Sequence, residues 1–463
     1  MASFTLEEIE KAAAARLIRR GNNPFVDGVS TDTRTIRAGE LFIALTGENF
    51  NGHAFVKKAV EAGAAAVMIS DASYGDGLDP KVTVFLVKDT KKGLEDVAHF
   101  HRMRFHVPVI GVTGSNGKTT TKDMITAILS TRFHVTATQK NFNNEIGLSM
   151  TLLSMTGDTE VCVVEMGMRG FGQIKELCHI ASPTMGVVTN VGTSHIGILG
   201  SQDNIAKAKK ELIDALPADG TAILNGDDER VCAMGKGFAG RVIRYGLNGR
   251  YTVRGSDVRY EEEDTRYTCT CFDEAFKVKL HLLGVHNVYD ALAATAACRV
   301  LGVDTGKIQR ALGDFRPAGQ RQAVETIDGI TVLDDSYNAN PLSMEMAFRS
   351  AKQMAGKHYF LVLGDMGELG RFEEKLHYET GLTAAKIGFD GLITVGPLSR
   401  FLAKGAEEGG MQVVHTCDTC GEAAEELKKL AGPGDVVLVK GSHYMHMETI
   451  PAILRGAMGK NGK

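Results

Sequence analysis

The chain has no excess of charge of either sign. Its 463 residues carry 52 Lys and Arg against 56 Asp and Glu, a net charge of -4. Polynucleotides and anionic membranes are held by basic fields, so nucleic-acid binding is excluded as an expected role. Long apolar runs are also missing: nothing approaches the ~18 residues of a membrane span. The opening MASFTLEEIEKAAAARLIRR mixes acids and bases in an amphipathic helical pattern and lacks the apolar core of a secretory signal. A cytoplasmic protein without membrane insertion is expected. There is no internal repeat or low-complexity tract, and the Gly-rich stretch 456–463 reads as a frayed end. Eight cysteines are present, several inside apolar runs such as Val161-Cys162-Val163-Val164, which suits buried thiols in a reducing compartment. Cys269-Thr-Cys271 and Cys417-Asp-Thr-Cys420 are candidate zinc ligands by type, but they fall in separate expected domains, so no zinc site is expected.

What is there is an alternation of apolar strands and helical segments, the mark of an α/β protein, in a chain long enough for about three domains of ~150 residues. Residues 1–103 read as a small α/β domain, with a Gly/Asp/Asn-rich stretch from Gly28 to Gly52, a helix from Phe55 to Ala62 and a strand from Ala65 to Ile69. Residues 104–315 carry strands at the spacing of a parallel sheet: Val109 to Val112, Val161 to Glu165, Met185 to Asn190 and Thr221 to Asn225. Between 250 and 283 polar and apolar residues alternate, predicting antiparallel strands added to that sheet, and a helix from Asn287 to about Leu301 closes the unit. Residues 316–463 repeat the parallel pattern at Ile330 to Leu333, Tyr359 to Leu363, Leu392 to Val395 and Val436 to Val439, as in a doubly wound, Rossmann-like domain.

The most informative stretch is Gly111-Val-Thr-Gly-Ser-Asn-Gly-Lys-Thr-Thr120, directly after Val107-Pro108-Val109-Ile110. A strand running into a glycine-rich loop and then a helix aims successive backbone N–H groups at phosphate oxygens, and the helix adds the positive end of its dipole. Gly114, Ser115, Asn116, Gly117, Lys118, Thr119 and Thr120 are therefore the candidate nucleoside-triphosphate cradle. Lys118 would reach the β- and γ-phosphates and Thr119 would hold Mg²⁺. The loop is a variant, TGSNGKTT, because the general P-loop spacing demands glycine where this chain has Val112.

Polar residues recur where strands end. Glu165 closes the strand Val161 to Val164 and is a candidate second ligand to the same Mg²⁺, or a helix-capping acid. His195, in the loop after Asn190, reads as a ligand, an acid/base or a solvent-facing residue. Lys207, Lys209 and Lys210 read as a solvated basic helix face.

These motifs together resemble the Mur ligases, the ATP-dependent amide ligases of peptidoglycan precursor synthesis. TGSNGKTT, Glu165, His195, Ala208-Lys-Lys-Glu211 and His286-Asn287 carry the resemblance to the family. The segments Asn141-Phe-Asn-Asn-Glu-Ile-Gly147, Glu165-Met-Gly167, Asp334-Asp-Ser-Tyr-Asn-Ala-Asn-Pro341, Leu363-Gly-Asp-Met-Gly-Glu-Leu-Gly370 and Val439-Lys-Gly-Ser442 are similar to its D-alanyl-D-alanine-adding branch. The resemblance implies a ligase that joins D-alanyl-D-alanine to a UDP-N-acetylmuramoyl-tripeptide through an acyl phosphate, acting as a monomer. It implies two Mg²⁺ ions, one on Thr119 and Glu165 and one on His195 with a carbamylated Lys209. Lys118, His195, Lys209 and Arg321 are then the implied catalytic residues, and Asn144, Asn287, Arg321 and Asp335 the implied further nucleotide contacts. Ser30, Asp32, Arg34 and Thr46 would hold the UDP end, with Asn141 and Asn143 also on the acceptor, while Tyr337, Asn338 and Asn340 would meet the dipeptide. Two positions depart from the family pattern: Asp290 replaces an asparagine in the helix motif after His286, and His443 replaces an arginine. The Asp314 to Gln320 segment is the expected hinge. A sibling ligase adding a single amino acid is disfavoured by Asp334-to-Pro341, and a nucleotide-driven binding switch would not need Glu165, His195 and Lys209 together.

Overall fold

A computed structural model of the chain describes residues 2–47, 50–139, 141–261, 264–317, 319 and 321–456. Parts of the Leu45-to-Gly52 segment, of the expected hinge and of the Gly-rich end thus lie outside the described residues. The architecture is mixed α/β with three main sheets.

The N-terminal sheet has five strands in the order Arg16–Arg19, Thr83–Leu86, Ala66–Ile69, Leu41–Ile43, Val29–Ser30, with the outermost Arg16–Arg19 antiparallel and the others parallel. The amphipathic start forms a much shorter helix than its pattern suggests, Leu6–Ala12, begun by a capping box between Thr5 and Glu8. Ala14 takes a left-handed φ of 45° and the following residues leave the helix to pair with Thr83–Leu86, so sheet pairing overrides local propensity. Helix Thr90–Arg102 fastens this unit to the next: the Arg102 guanidinium donates to the carbonyls of Ala181 (2.9 Å) and Ser182 (3.3 Å).

The central sheet has nine strands, in the order Val135–Ala137, Val161–Glu165, Val109–Thr113, Met185–Val188, Thr221–Asn225, Arg241–Gly246, Val253–Glu261, Asp264–Cys271, Glu274–Leu280. Pairing is parallel as far as Val253–Glu261 and antiparallel through the last two strands, as the change from continuous apolar runs to alternation predicts. The Val109–Thr113 and Val161–Glu165 strands are buried throughout, and the helices Lys118–Leu129 and Val285–Val300 cover one face of the sheet.

The C-terminal sheet orders six strands as Ala323–Ile327, Ile330–Asp334, Val436–Lys440, Tyr359–Gly364, Gly391–Val395, Val414–Cys417, all parallel except the first. Loops at the carboxyl ends of its strands face the glycine loop of the central sheet. No helix among the described residues is long and apolar enough to cross a membrane.

Candidate active site

A cleft of about 780 Å³ opens where the central and C-terminal units meet. Its floor is the loop between the Val109–Thr113 strand and the Lys118–Leu129 helix. Gly114 and Gly117 adopt φ of 156° and 79°, and a Cβ on Gly117 would sit 2.2 Å from the Asp290 carboxyl oxygen, so only glycine fits there. The loop is braced from the next strand: Asn116 N–H donates to the Asn190 side-chain oxygen (2.9 Å), Asn190 Nδ2 donates back to the Asn116 carbonyl (3.0 Å), and Gly192 N–H donates to Ser115 Oγ (2.8 Å). Lys118 Nζ lies over the loop, donating to the Gly114 carbonyl at 2.9 Å. Burial lowers its pKa, with a neighbouring Arg321 cation acting in the same direction against the pull of Glu165. An amine so placed gains most from an anionic ligand.

Register brings Glu165 level with Val112 on the adjacent strand, so its carboxylate emerges beside the loop. Glu165 is 1 % exposed; one oxygen accepts from the Thr119 hydroxyl (2.8 Å), the other from Asn143 Nδ2 (2.8 Å), and among the described residues no Lys, Arg or His comes within ion-pair distance of it. A buried carboxylate without a cation of its own, beside a hydroxyl, is a hard-oxygen donor set that fits Mg²⁺. Among the described residues no three His, Cys, Asp or Glu side chains form a preformed cage.

Lys209, on helix Gln202–Asp214, is not the exposed basic face that composition suggested. It is 2 % exposed, its amine meets no hydrogen-bond acceptor or carboxylate among the described residues, and burial drives its pKa well down, with Lys118 adding to the effect. An uncharged amine is the form that reacts with CO₂, so the residue fits the carbamate, which needs a neutral nitrogen nucleophile. Lys207 and Lys210 remain on the outer side of that helix.

The Val285–Val300 helix forms one wall. Asn287 Nδ2 donates to the Leu283 carbonyl (2.7 Å) and to the Gln322 side-chain oxygen (2.9 Å), and Gln322 Nε2 in turn donates to His286 Nε2 (2.9 Å). Burial pushes the His286 pKa down to about 4, so the ring accepts as a neutral base. Asp290 accepts from Thr121 Oγ1 at 3.1 Å beneath Gly117, and burial raises its carboxyl to about 8. At neutral pH it is a carboxylic acid and thereby stands in for the neutral asparagine of the family pattern. The unfolded carboxyl ionises near 3.8, so Asp290 opposes folding increasingly as pH rises from there to about 8. Asp290→Asn is therefore expected to raise the melting temperature by several degrees at pH 8–9 and little at pH 5, measured by paired thermal melts.

The opposite wall comes from the C-terminal unit. Asn340 caps helix Pro341–Gln353 by accepting from Ser343 N–H, while its Nδ2 donates to Asn116 Oδ1 of the glycine loop (2.7 Å) and to Ser194 Oγ (3.0 Å). Its polar atoms are thus engaged with the P-loop, and Tyr337 and Asn338 are the members of that trio lining the cleft without such a tie. Lys440 is buried and fixes their loop, binding Asp335 Oδ2 (2.5 Å) and the Asn338 carbonyl (2.8 Å). Arg321 then lies 3.9 Å above the Tyr337 ring, a cation–π contact that aims it across the cleft. Glu368 reaches from the same unit to pair with His195 and with Arg169.

Asn141, Asn143, Asn144, Asp335 and His443 also line the cleft, whereas Gly114, Lys209, Ser30, Asp32, Arg34 and Thr46 do not. Of the last four, Ser30, Asp32 and Arg34 group at the end of strand Val29–Ser30, and Thr46 lies on a separate short hairpin, Thr46–Gly47 with Phe50–Asn51. Arg34 is exposed and clasps Asp32, holding that carboxyl down at about 2; Ser30 Oγ donates to the Asp32 carbonyl, and Thr46 is exposed beside His53. Next to them, Phe50 and Phe55 stack at 5.5 Å with both rings exposed. Sequence reasoning passed over Arg169, Gln322, Glu368 and Lys440 as site residues. The two glutamate and lysine motifs at 363–370 and 439–442 were visible signals for the latter pair. The cysteine pairs play no part in the cleft: Cys269 and Cys271 are buried on the strand Asp264–Cys271, and Cys417 and Cys420 belong to the C-terminal unit.

Comparison with known proteins matches residues 112–298 to the family described as Mur ligase middle domain, 321–443 to Mur ligase, glutamate ligase domain, and 25–102 to Mur ligase family, catalytic domain. The chain belongs to the Mur ligase family. This Mur ligase is 39% identical over 429 residues to the Bacillus subtilis UDP-N-acetylmuramoyl-tripeptide--D-alanyl-D-alanine ligase, covering 92% of each chain. It is 32% identical over 462 residues to the Escherichia coli protein of the same name, covering 98% of this chain and 99% of that one. Among solved structures, MurF from Acinetobacter baumannii superposes with a TM-score of 0.91 at 28% identity over 98% of this chain and 99% of the other. The Thermotoga maritima MurF ligase in complex with ADP gives 0.83 at 27% identity over 96% and 99%.

Proposed function

We propose that this Mur ligase joins D-alanyl-D-alanine to a UDP-N-acetylmuramoyl-tripeptide at the expense of ATP, giving the pentapeptide precursor, ADP and phosphate. The observation that carries the reading is the glycine loop closed over by Asn340, with Lys118, Arg321, Thr119 and Glu165 converging on one cleft. In this reading residues 1–103 hold the UDP end, with the exposed Phe50–Phe55 pair as an apolar face for the base, residues 104–315 hold ATP, and residues 316–463 hold the dipeptide. The enzyme acts in the cytoplasm as a monomer.

A carboxylate is a poor electrophile, so its oxygen first takes the γ-phosphoryl group. The loop N–H groups and Lys118 hold the β- and γ-phosphates, and Arg321 offsets the charge that spreads over the transferring group. Thr119 and Glu165 would hold one Mg²⁺, and His195 with a carbamylated Lys209 would hold a second; ions there would neutralise charge on the phosphates. The acyl phosphate then has a good leaving group. The dipeptide amine, positioned by Tyr337 and Asn338, attacks its carbonyl carbon, and phosphate departs from the tetrahedral intermediate. Apposition of the C-terminal unit excludes water, which would otherwise hydrolyse the acyl phosphate.

Phosphate release from ATP is the test, with the tripeptide acceptor present and D-alanyl-D-alanine compared with D-alanine, lysine, diaminopimelate and no amine. Release that requires acceptor and dipeptide, with a pentapeptide product by mass, is expected. Preference for another amine would move the assignment to a sibling ligase.

A further inference from the structure

The loop after strand Tyr359–Gly364 makes an unusual contact with the central unit. Glu368 adopts a left-handed φ of 61° and faces His195, itself left-handed at 62°. Its two carboxylate oxygens diverge: one pairs with His195 Nδ1, the other with Arg169 Nε at 3.1 Å. Its carbonyl accepts from Gly197 N–H at 3.2 Å, and a Cβ on Gly197 would lie 2.5 Å from the Gly370 nitrogen, so the two backbones touch without side chains between them. Arg169 and His195 follow the strands Val161–Glu165 and Met185–Val188, the two neighbours of the P-loop strand. One glutamate of the C-terminal unit therefore gathers the loops on both sides of the phosphate cradle.

We infer that Glu368 is a positioning residue that makes the phosphoryl-transfer site complete only when the C-terminal unit has docked. Its carboxylate lies against Nδ1, which favours a proton on that nitrogen and leaves Nε2 as the ring nitrogen to ligate, an outer-sphere role that carboxylates play for histidine ligands. Docking also brings the amine-binding loop, so the histidine is set only when the nucleophile's site is present. Chemistry is thereby tied to closure, and ATP is not turned over in the open form. The inference rests on the ligase reading above, since it assigns His195 to the phosphate side of that reaction.

The test uses Glu368→Ala, Glu368→Gln and Arg169→Ala in the full-length enzyme, with small-angle scattering in the absence and presence of nucleotide plus acceptor, and steady-state kinetics. Glu368 is partly exposed, so its variants should melt like the parent. Glu368→Ala is expected to lower kcat about 10–100-fold, leave KM for ATP within about threefold, and diminish the ligand-induced contraction. Glu368→Gln, which keeps an acceptor oxygen, should recover part of kcat, and Arg169→Ala should cost less than Glu368→Ala because His195 keeps its partner. A Glu368→Ala enzyme with parental kcat and contraction overturns the inference, as does a loss of kcat that Gln fails to relieve while the contraction is intact. Either result leaves dipeptide-dependent phosphate release by the parent enzyme standing; failure of that release in the parent would instead remove the ligase reading.

Discussion

Lys118→Ala is expected to lower the rate of acceptor-dependent ADP formation by about 10²–10³-fold, seen in a single-turnover assay with saturating ATP. The loss belongs to the chemical step, because the amine lies over the loop that would carry the phosphates and its charge is worth most as negative charge shifts toward the leaving oxygen. Stability should not fall with activity. The Lys118 side chain is partly buried and its pKa lowered, so removing it relieves a partly desolvated charge and the melting temperature should stay level or rise. Lys118→Arg is expected to rescue poorly, since the planar fork cannot make the same approach to the Gly114 carbonyl within the loop.

The second large effect concerns Lys209. Incubation with ¹³C-bicarbonate is expected to give a protein-bound carbamate resonance in the parent and none in Lys209→Met, which in turn should lose about 10²-fold or more in kcat, on the scale of losing one charge-stabilising group. The physical reason is the amine's isolation. Burial lowers its pKa well below that of a free lysine, Lys118 nearby adds to that, and among the described residues no carboxylate neutralises it. Lowering the pH protonates the amine and removes the reactive form, so the resonance should fade reversibly toward acid. A parent enzyme with full activity and no such resonance would remove the carbamate from the mechanism.

The glycine loop, the buried strand Val161–Glu165 and the closing Glu165 were legible because each is a local pattern: an apolar run, a turn that needs glycine, a polar residue at a strand end. Short, edge or charge-interrupted strands were not. Arg241–Gly246 and Val414–Cys417 carry too few apolar residues to stand out, and Arg16–Arg19 lies inside a helical pattern that pairing across the sheet overrules. Lys209 shows the limit from another side, since a lysine among lysines on an amphipathic helix looks solvated until packing reveals which face is covered. Glu368, Arg169, Gln322 and Lys440 owe their roles to partners on other elements, up to 199 residues away in the chain for Glu368 and Arg169. Asn340 was legible only as part of the Asp334-to-Pro341 motif, and its bond to Asn116 depends on how two sheets face each other.

That bond has a thermodynamic corollary. Helices Lys118–Leu129 and Pro341–Gln353 both begin at the glycine loop, one within the central unit and one brought to it by the C-terminal unit. Anything bound between the two N-termini is favoured by the first always and by the second only after docking. Nucleotide affinity is consequently not a fixed constant of this protein but a weighted average over its conformers, and by reciprocity each increment of tightness gained on docking is an equal bias toward the docked form. A nucleotide-mimicking inhibitor would be ranked differently by an assay that samples the open enzyme and one run with acceptor present.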